Sequence, residues 1–143
     1  MQLARWMACL QCLVPVAAGA AEWTDIDAEA LVALCWAISE EDRGSGVTSR
    51  MRQGTADTID CLEQEIVQHA TAFFRTRSEE QIRQLVTDIG GSYAQFYWVM
   101  YNENKACDPG CGTVYHVVFI GEVAELLEDM LRDLVSQRNE YRR

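Results

Sequence analysis

The stretch from Thr113 to Tyr141, TVYHVVFIGEVAELLEDMLRDLVSQRNEY, decides the fold class. Val117, Ile120, Val123, Ala124, Leu127, Met130, Leu131 and Leu134 recur at intervals of three and four residues. Successive residues turn a helix by 100°, so this spacing gathers them on one buried face. A half-buried strand would instead alternate at every second residue. Arg138, Arg142 and Arg143 follow where the helix dipole is negative.

The same period recurs upstream. Ser78 and Gln81 have capping-box spacing, with Glu79 and Glu80 at the positive end of the helix they open. Ile82, Leu85, Val86, Ile89, Tyr93, Phe96 and Met100 continue one stripe, interrupted by Gly90-Gly91, which reads as a kink, a close helix crossing or a break. A further helix is expected from a cap at Thr48 or Ser49 to about Arg75, on Ile59, Leu62, Ile66, Ala70 and Phe73; Gly54 weakens its first turns and is a possible break. Asp25 or Asp27 can cap a short leading helix to about Ser39 with Leu31, Leu34, Cys35 and Ile38 on its buried side. Glu40 to Val47, with Gly44-Ser45-Gly46, reads as a loop. Cys107-Asp108-Pro109-Gly110-Cys111 is a turn. Three long helices plus a short leading one predict an all-α antiparallel bundle.

The chain's 143 residues suit one domain, and 49% hydrophobic residues are too many for a disordered acidic tail. Its net charge of −10 argues against nucleic acid and against anionic lipid, which need positive protein surface. Residues 1–20 have the order of a secretory signal: Arg5, an apolar run from Trp6 to Ala18, then Ala18-Gly19-Ala20. The run is too short for a membrane span, and Cys9 and Cys12 inside it read as small apolar residues of the leader. The domain is therefore expected over 21–143, exported to the periplasm or secreted, with no membrane span once the signal is removed. Losing Arg5 takes the charge from −10 to −11, and the six cysteines become Cys35, Cys61, Cys107 and Cys111.

An even number of cysteines in an oxidising compartment reads as disulfides. Cys35 lies just before the Gly/Ser loop and Cys61 on the helix that returns from it, so the two can face each other. Cys107 and Cys111 flank one turn. The pairing 35–61 with 107–111 is expected over the other two connectivities, giving a disulfide-stapled bundle. Cys107, Cys111 and His116 could be read as a metal or redox site, but no second ligand pair supports the spacing. His69, among polar neighbours, reads as solvent-facing or partly buried. Glu63-Glu65 and Glu79-Glu80 read as solvated helix faces. There is no G-x-S-x-G, H-E-x-x-H or phosphate loop, so neither catalytic residues nor a cofactor is expected.

Tyr93, Phe96, Tyr97, Trp98 and Tyr101 crowd nine residues, too many for one helical face. Tyr93, Phe96 and Met100 are expected near the core. Trp98 and Tyr101 point elsewhere, either to pack on the first or last helix or to form an exposed contact patch.

Trp98, Tyr101, Glu103 and Cys107, with Cys111 and Tyr115 following, lie in places that correspond to a motif of the LprI-like family of small exported lysozyme inhibitors. In that motif a tryptophan is followed by an aromatic residue, Arg-Asp and cysteine. Ile59-x-Cys61 with Phe73 or Phe74 resembles the family's second cysteine region, and Cys35 would be its first cysteine. The chain departs from the pattern at Asn102, where the family has arginine, at Val118, and in the spacing of Cys35, Cys61 and Cys107. The resemblance implies a non-enzymatic protein that binds a lysozyme or another basic envelope protein. The expected contact surface is Trp98, Tyr101, Asn102, Glu103, Asp108, Pro109 and Tyr115, beside a disulfide-fixed acidic loop. The alternatives from the residues alone are an envelope scaffold or assembly factor that binds partner helices, marked by a continuous exposed apolar strip, and a metal or redox protein using Cys107 and Cys111.

Overall fold

The computed structural model describes residues 25–103 and 114–141; the expected leader at 1–20 and the Cys107–Cys111 turn lie outside the described residues. Five helices follow one another: α1 Ala28–Ile38, α2 Glu40–Arg43, α3 Thr48–Phe73, α4 Glu79–Glu103 and α5 Val114–Glu140. Among the described residues there is no strand, and the molecule is the all-α antiparallel bundle that the periodicity predicts.

α3 is the hub, touching each of the other four helices. Each long helix reverses on the one before it, so α3 and α5 run parallel: Arg138 near the end of α5 meets His69 near the end of α3, 2.6 Å apart. α1 runs the other way. Its entry is tied to the end of α5 by Asn139, which donates to the Ile26 carbonyl at 3.0 Å. Further along, Trp36 hydrogen-bonds Glu128. On α5, Glu128 and Arg132 face α1, whereas Met130, two residues or 200° away, faces α4. α1 and α4 therefore take opposite sides of the α3–α5 pair. Leu62, Ile66 and Val67 of α3 and Ala124, Leu127 and Leu131 of α5 are buried between them.

Cys35 and Cys61 form the expected disulfide, with 5.5 Å between their Cα atoms, and it staples α1 to α3. Asp27 caps α1 by accepting from the Glu29 and Ala30 amides at 3.0 and 3.2 Å. Ser78 and Gln81 form the capping box: Ser78 Oγ accepts from the Gln81 amide at 3.2 Å, and Gln81 Oε1 from the Ser78 amide at 3.0 Å.

Several local expectations are corrected. Glu40–Arg43, expected as loop, is a one-turn helix. Arg43 holds it, donating to Ser39 Oγ at 2.9 Å and to the Trp36 carbonyl at 2.7 Å, with its guanidinium 4.3 Å over the Trp36 ring. The N-cap of α3 is Val47, whose amide is satisfied by Ser45 Oγ, and Thr48 is already helical. Neither Gly54 nor Gly90-Gly91 breaks its helix. Gly54 lets α2 cross α3, since a Cβ there would lie 3.0 Å from Arg43 N and from Asp42 Cβ. In α1, Leu34 and Ile38 are exposed, and Val32 takes their place beside Cys35. The period was right but its phase was not: Ala28, Leu31, Val32, Cys35 and Trp36 are what α1 turns to the core. Phe119 and Val135 join the buried face of α5, to which the spacing had not assigned them.

Candidate functional site

α4 anchors to the bundle along a narrow row. Ile82 and Val86 are buried, and Gly90 lets the backbone come close, so that a Cβ there would touch Val123 at 3.5 Å. Tyr93 follows, half-buried, its hydroxyl donating to that of Tyr97 at 3.3 Å. The next row of α4 was expected in the core and is not there. Leu85 is 49% exposed, Ile89 36% and Phe96 57%, with Met100 and Val99 also exposed. On 100° steps Leu85, Ile89 and Phe96 share one flank of α4; Leu85 and Ile89 turn toward α5, whereas at the level of Phe96 it is Trp98, 200° around the helix, that meets α5.

That flank borders a groove. Leu85 and Ile89 on one wall face Met130 and Leu134 on the other, over a floor of Ile66, Ala70, Ile82 and Val86. Phe74 and Arg77 stand at its end, and the cavity is about 320 Å³. The groove exists because α4 rests on α3 and α5 through small or recessed residues, leaving its larger side chains standing at the rim. The sequence carried a signal for this. The apolar residues of α4 cover a wider arc than two neighbouring helices can bury.

The sequence-derived contact residues are only partly placed. Trp98 is half-exposed and packs on Phe119 of α5, ring centroids 5.8 Å apart, so it meets the last helix as one of the two expectations held. Tyr101, Asn102 and Glu103 lie on the last turn of α4 and Tyr115 on the first of α5. Asp108, Pro109, Cys107 and Cys111 lie outside the described residues.

Two titratable groups are perturbed. His69 is buried, not solvent-facing, and Arg138 donates to its Nδ1 at 2.6 Å. Arginine only donates, so the neutral ring carries its proton on Nε2, toward Glu65 Oε2 at 3.5 Å. Burial, and then the Arg138 charge, hold its pKa below the ordinary histidine value, against the opposing pull of Glu65. Burial, and then Asp60, push Glu63 above the usual carboxylate range, while Thr87 and Arg83 pull it back. Among the described residues no three His, Cys, Asp or Glu side chains are grouped to hold a metal ion. No helix among them is long and apolar enough to cross a membrane.

Comparison with protein-family models, with curated proteins and with solved structures finds no match.

Proposed function

We propose that the chain is an exported, non-enzymatic protein-binding module whose contact surface is the flank of α4 that carries Leu85, Ile89 and Phe96. The observation that carries this is the pair Leu85 and Ile89, large apolar side chains exposed one turn apart at the rim of the groove, with Phe96 exposed about two turns further along the same flank, past Ser92. Scattered exposed apolar residues are ordinary, but exposed apolar side chains at the rim of an apolar groove are the pattern of an interaction site. It favours the scaffold or assembly-factor reading, in which exposed apolar side chains engage partner helices. The Cys35–Cys61 disulfide is of the kind favoured outside the cytosol. Affinity capture from envelope extract with the wild-type chain and with Leu85→Asp tests the reading: a partner held by the first and lost by the second supports it. A partner held equally by both overturns it.

Lysozyme inhibition is the second reading, favoured by the resemblance around Trp98 and by the net charge of −10, which suits a basic partner. Full lysozyme activity in the presence of a micromolar excess of the protein would exclude it.

A further inference from the structure

The connection between α3 and α4 carries two arginines that the rest of the molecule leaves open. Arg75 and Arg77 are exposed, and among the described residues neither guanidinium pairs with a carboxylate. Arg50, Arg83 and Arg132, by contrast, pair with Asp42, Glu79 and Glu29 at 2.6, 2.6 and 2.7 Å. Arg77 also stands at the end of the α4–α5 groove and is the charged side chain that lines it. Every other lining side chain is Ile, Leu, Val, Ala, Met or Phe. From Ile82 to Ile89 the groove follows α4 for about 10 Å, at 1.5 Å per residue. Its volume of about 320 Å³ lies at the low end of the range of small-molecule sites.

Such a trough specifies the chemistry of its occupant. Apart from Arg77 its side chains offer no hydrogen-bond donor, so a sugar, a nucleotide or an extended peptide would strand polar groups against it. An unbranched alkyl chain strands none, and a groove of this length and volume takes one such tail. Its head then lies at Arg77. A carboxylate matches one guanidinium both in charge and in its two acceptor oxygens. The net charge of −10 repels an anionic bilayer, which meets the whole molecule. A single head on Arg77 instead lies well within a Debye length, about 8 Å, of its counter-charge. We infer that the groove between α4 and α5 binds a free fatty acid of medium chain length, with its tail along Leu85 and Ile89 and its carboxylate on Arg77. This goes beyond the protein-binding reading and does not rest on it.

The test is titration calorimetry on the protein expressed from residue 1 and stripped of bound lipid, with ligands kept below micelle formation. Decanoate binds at one per chain. Decyltrimethylammonium, with the same tail and a cationic head, binds about tenfold more weakly. Affinity rises by about tenfold for each pair of methylenes from hexanoate to decanoate, as burial of an alkyl tail requires. Arg77→Glu reverses the preference between the two heads. Arg52→Glu, the same change in net charge near the start of α3, leaves it unchanged. Leu85→Asp and Ile89→Asp each weaken decanoate by about tenfold, because a carboxylate then lines the path of the tail. Leu34→Asp on exposed α1 is the unaffected control. Equal binding of the two heads by the wild type, or a preference that Arg77→Glu leaves in place, overturns the anionic ligand. Indifference to both Leu85→Asp and Ile89→Asp overturns the groove as the site. Binding of neither head, with helical content intact, overturns the inference. If the capture experiment above still loses its partner on Leu85→Asp, the protein-binding reading stands and a partner side chain takes the groove instead. A dimer in sedimentation that Leu85→Asp dissociates and decanoate does not overturns the inference in favour of a second copy.

Discussion

At the residue scale the glycines make opposite predictions. Gly54 sits where α2 crosses α3, and an added Cβ would meet backbone at 3.0 Å. Gly54→Ala is expected to destabilise by about 1–3 kcal/mol, the usual cost of overpacking. Gly91 has nothing within 4 Å of its would-be Cβ. Gly91→Ala is expected to stabilise by about 0.5–1 kcal/mol, because alanine gives up less backbone freedom in a helix. Denaturant midpoints of the two variants check both signs. His69 makes the third prediction. Its folded pKa lies below its unfolded value, so below about pH 6.5 the unfolded chain binds the extra proton more readily. Stability from this group is therefore full above that pH and falls as pH drops toward the folded pKa. His69→Gln should flatten the fall between neutral and mildly acidic pH, measured as unfolding free energy against pH relative to wild type.

At the element scale the short helices depend on their attachments. α1 has 11 residues, too few to hold a helix alone in water. The disulfide spans a sequence separation of 26, and closing a loop of that size is worth about 3 kcal/mol. Replacing Cys35 and Cys61 together by alanine should cost about that much. Amide exchange should rise first in α1, whose remaining polar ties include the Trp36–Glu128 hydrogen bond, the Arg132–Glu29 pair and Asn139 on Ile26. α2 exists because Arg43 spans Ser39 and Trp36, a contact between residues four and seven apart that composition could not reveal beside Gly44-Ser45-Gly46. The capping box before α4 was legible, since its two bonds join residues three apart and need no tertiary partner.

At the scale of the whole molecule, the exposed flank of α4 separates stability from binding. Because Ile89 and Phe96 are open to solvent, Phe96→Ser should leave the unfolding free energy within about 1 kcal/mol of wild type while removing partner capture. A large loss of stability would show instead that the residue packs in the folded chain.

The sequence by itself determined the fold class, the number and approximate bounds of the long helices, the cap at Ser78, the choice of Asp25 or Asp27 for the first cap, and the pairing of Cys35 with Cys61. These follow from interactions between near neighbours in the chain, or from a loop short enough to fix which helices meet. Only the tertiary structure decided which face of α1 and of α4 is buried. Leu34, Ile38, Leu85 and Phe96 obey the helical period as well as Val32 and Val86 do, yet they are exposed. Period fixes which residues share a face, while burial depends on how many neighbours the bundle brings to it. α1 and α4 each rest in one groove of the α3–α5 pair, so each can bury only one narrow row, and the apolar residues left over on α4 became the candidate site.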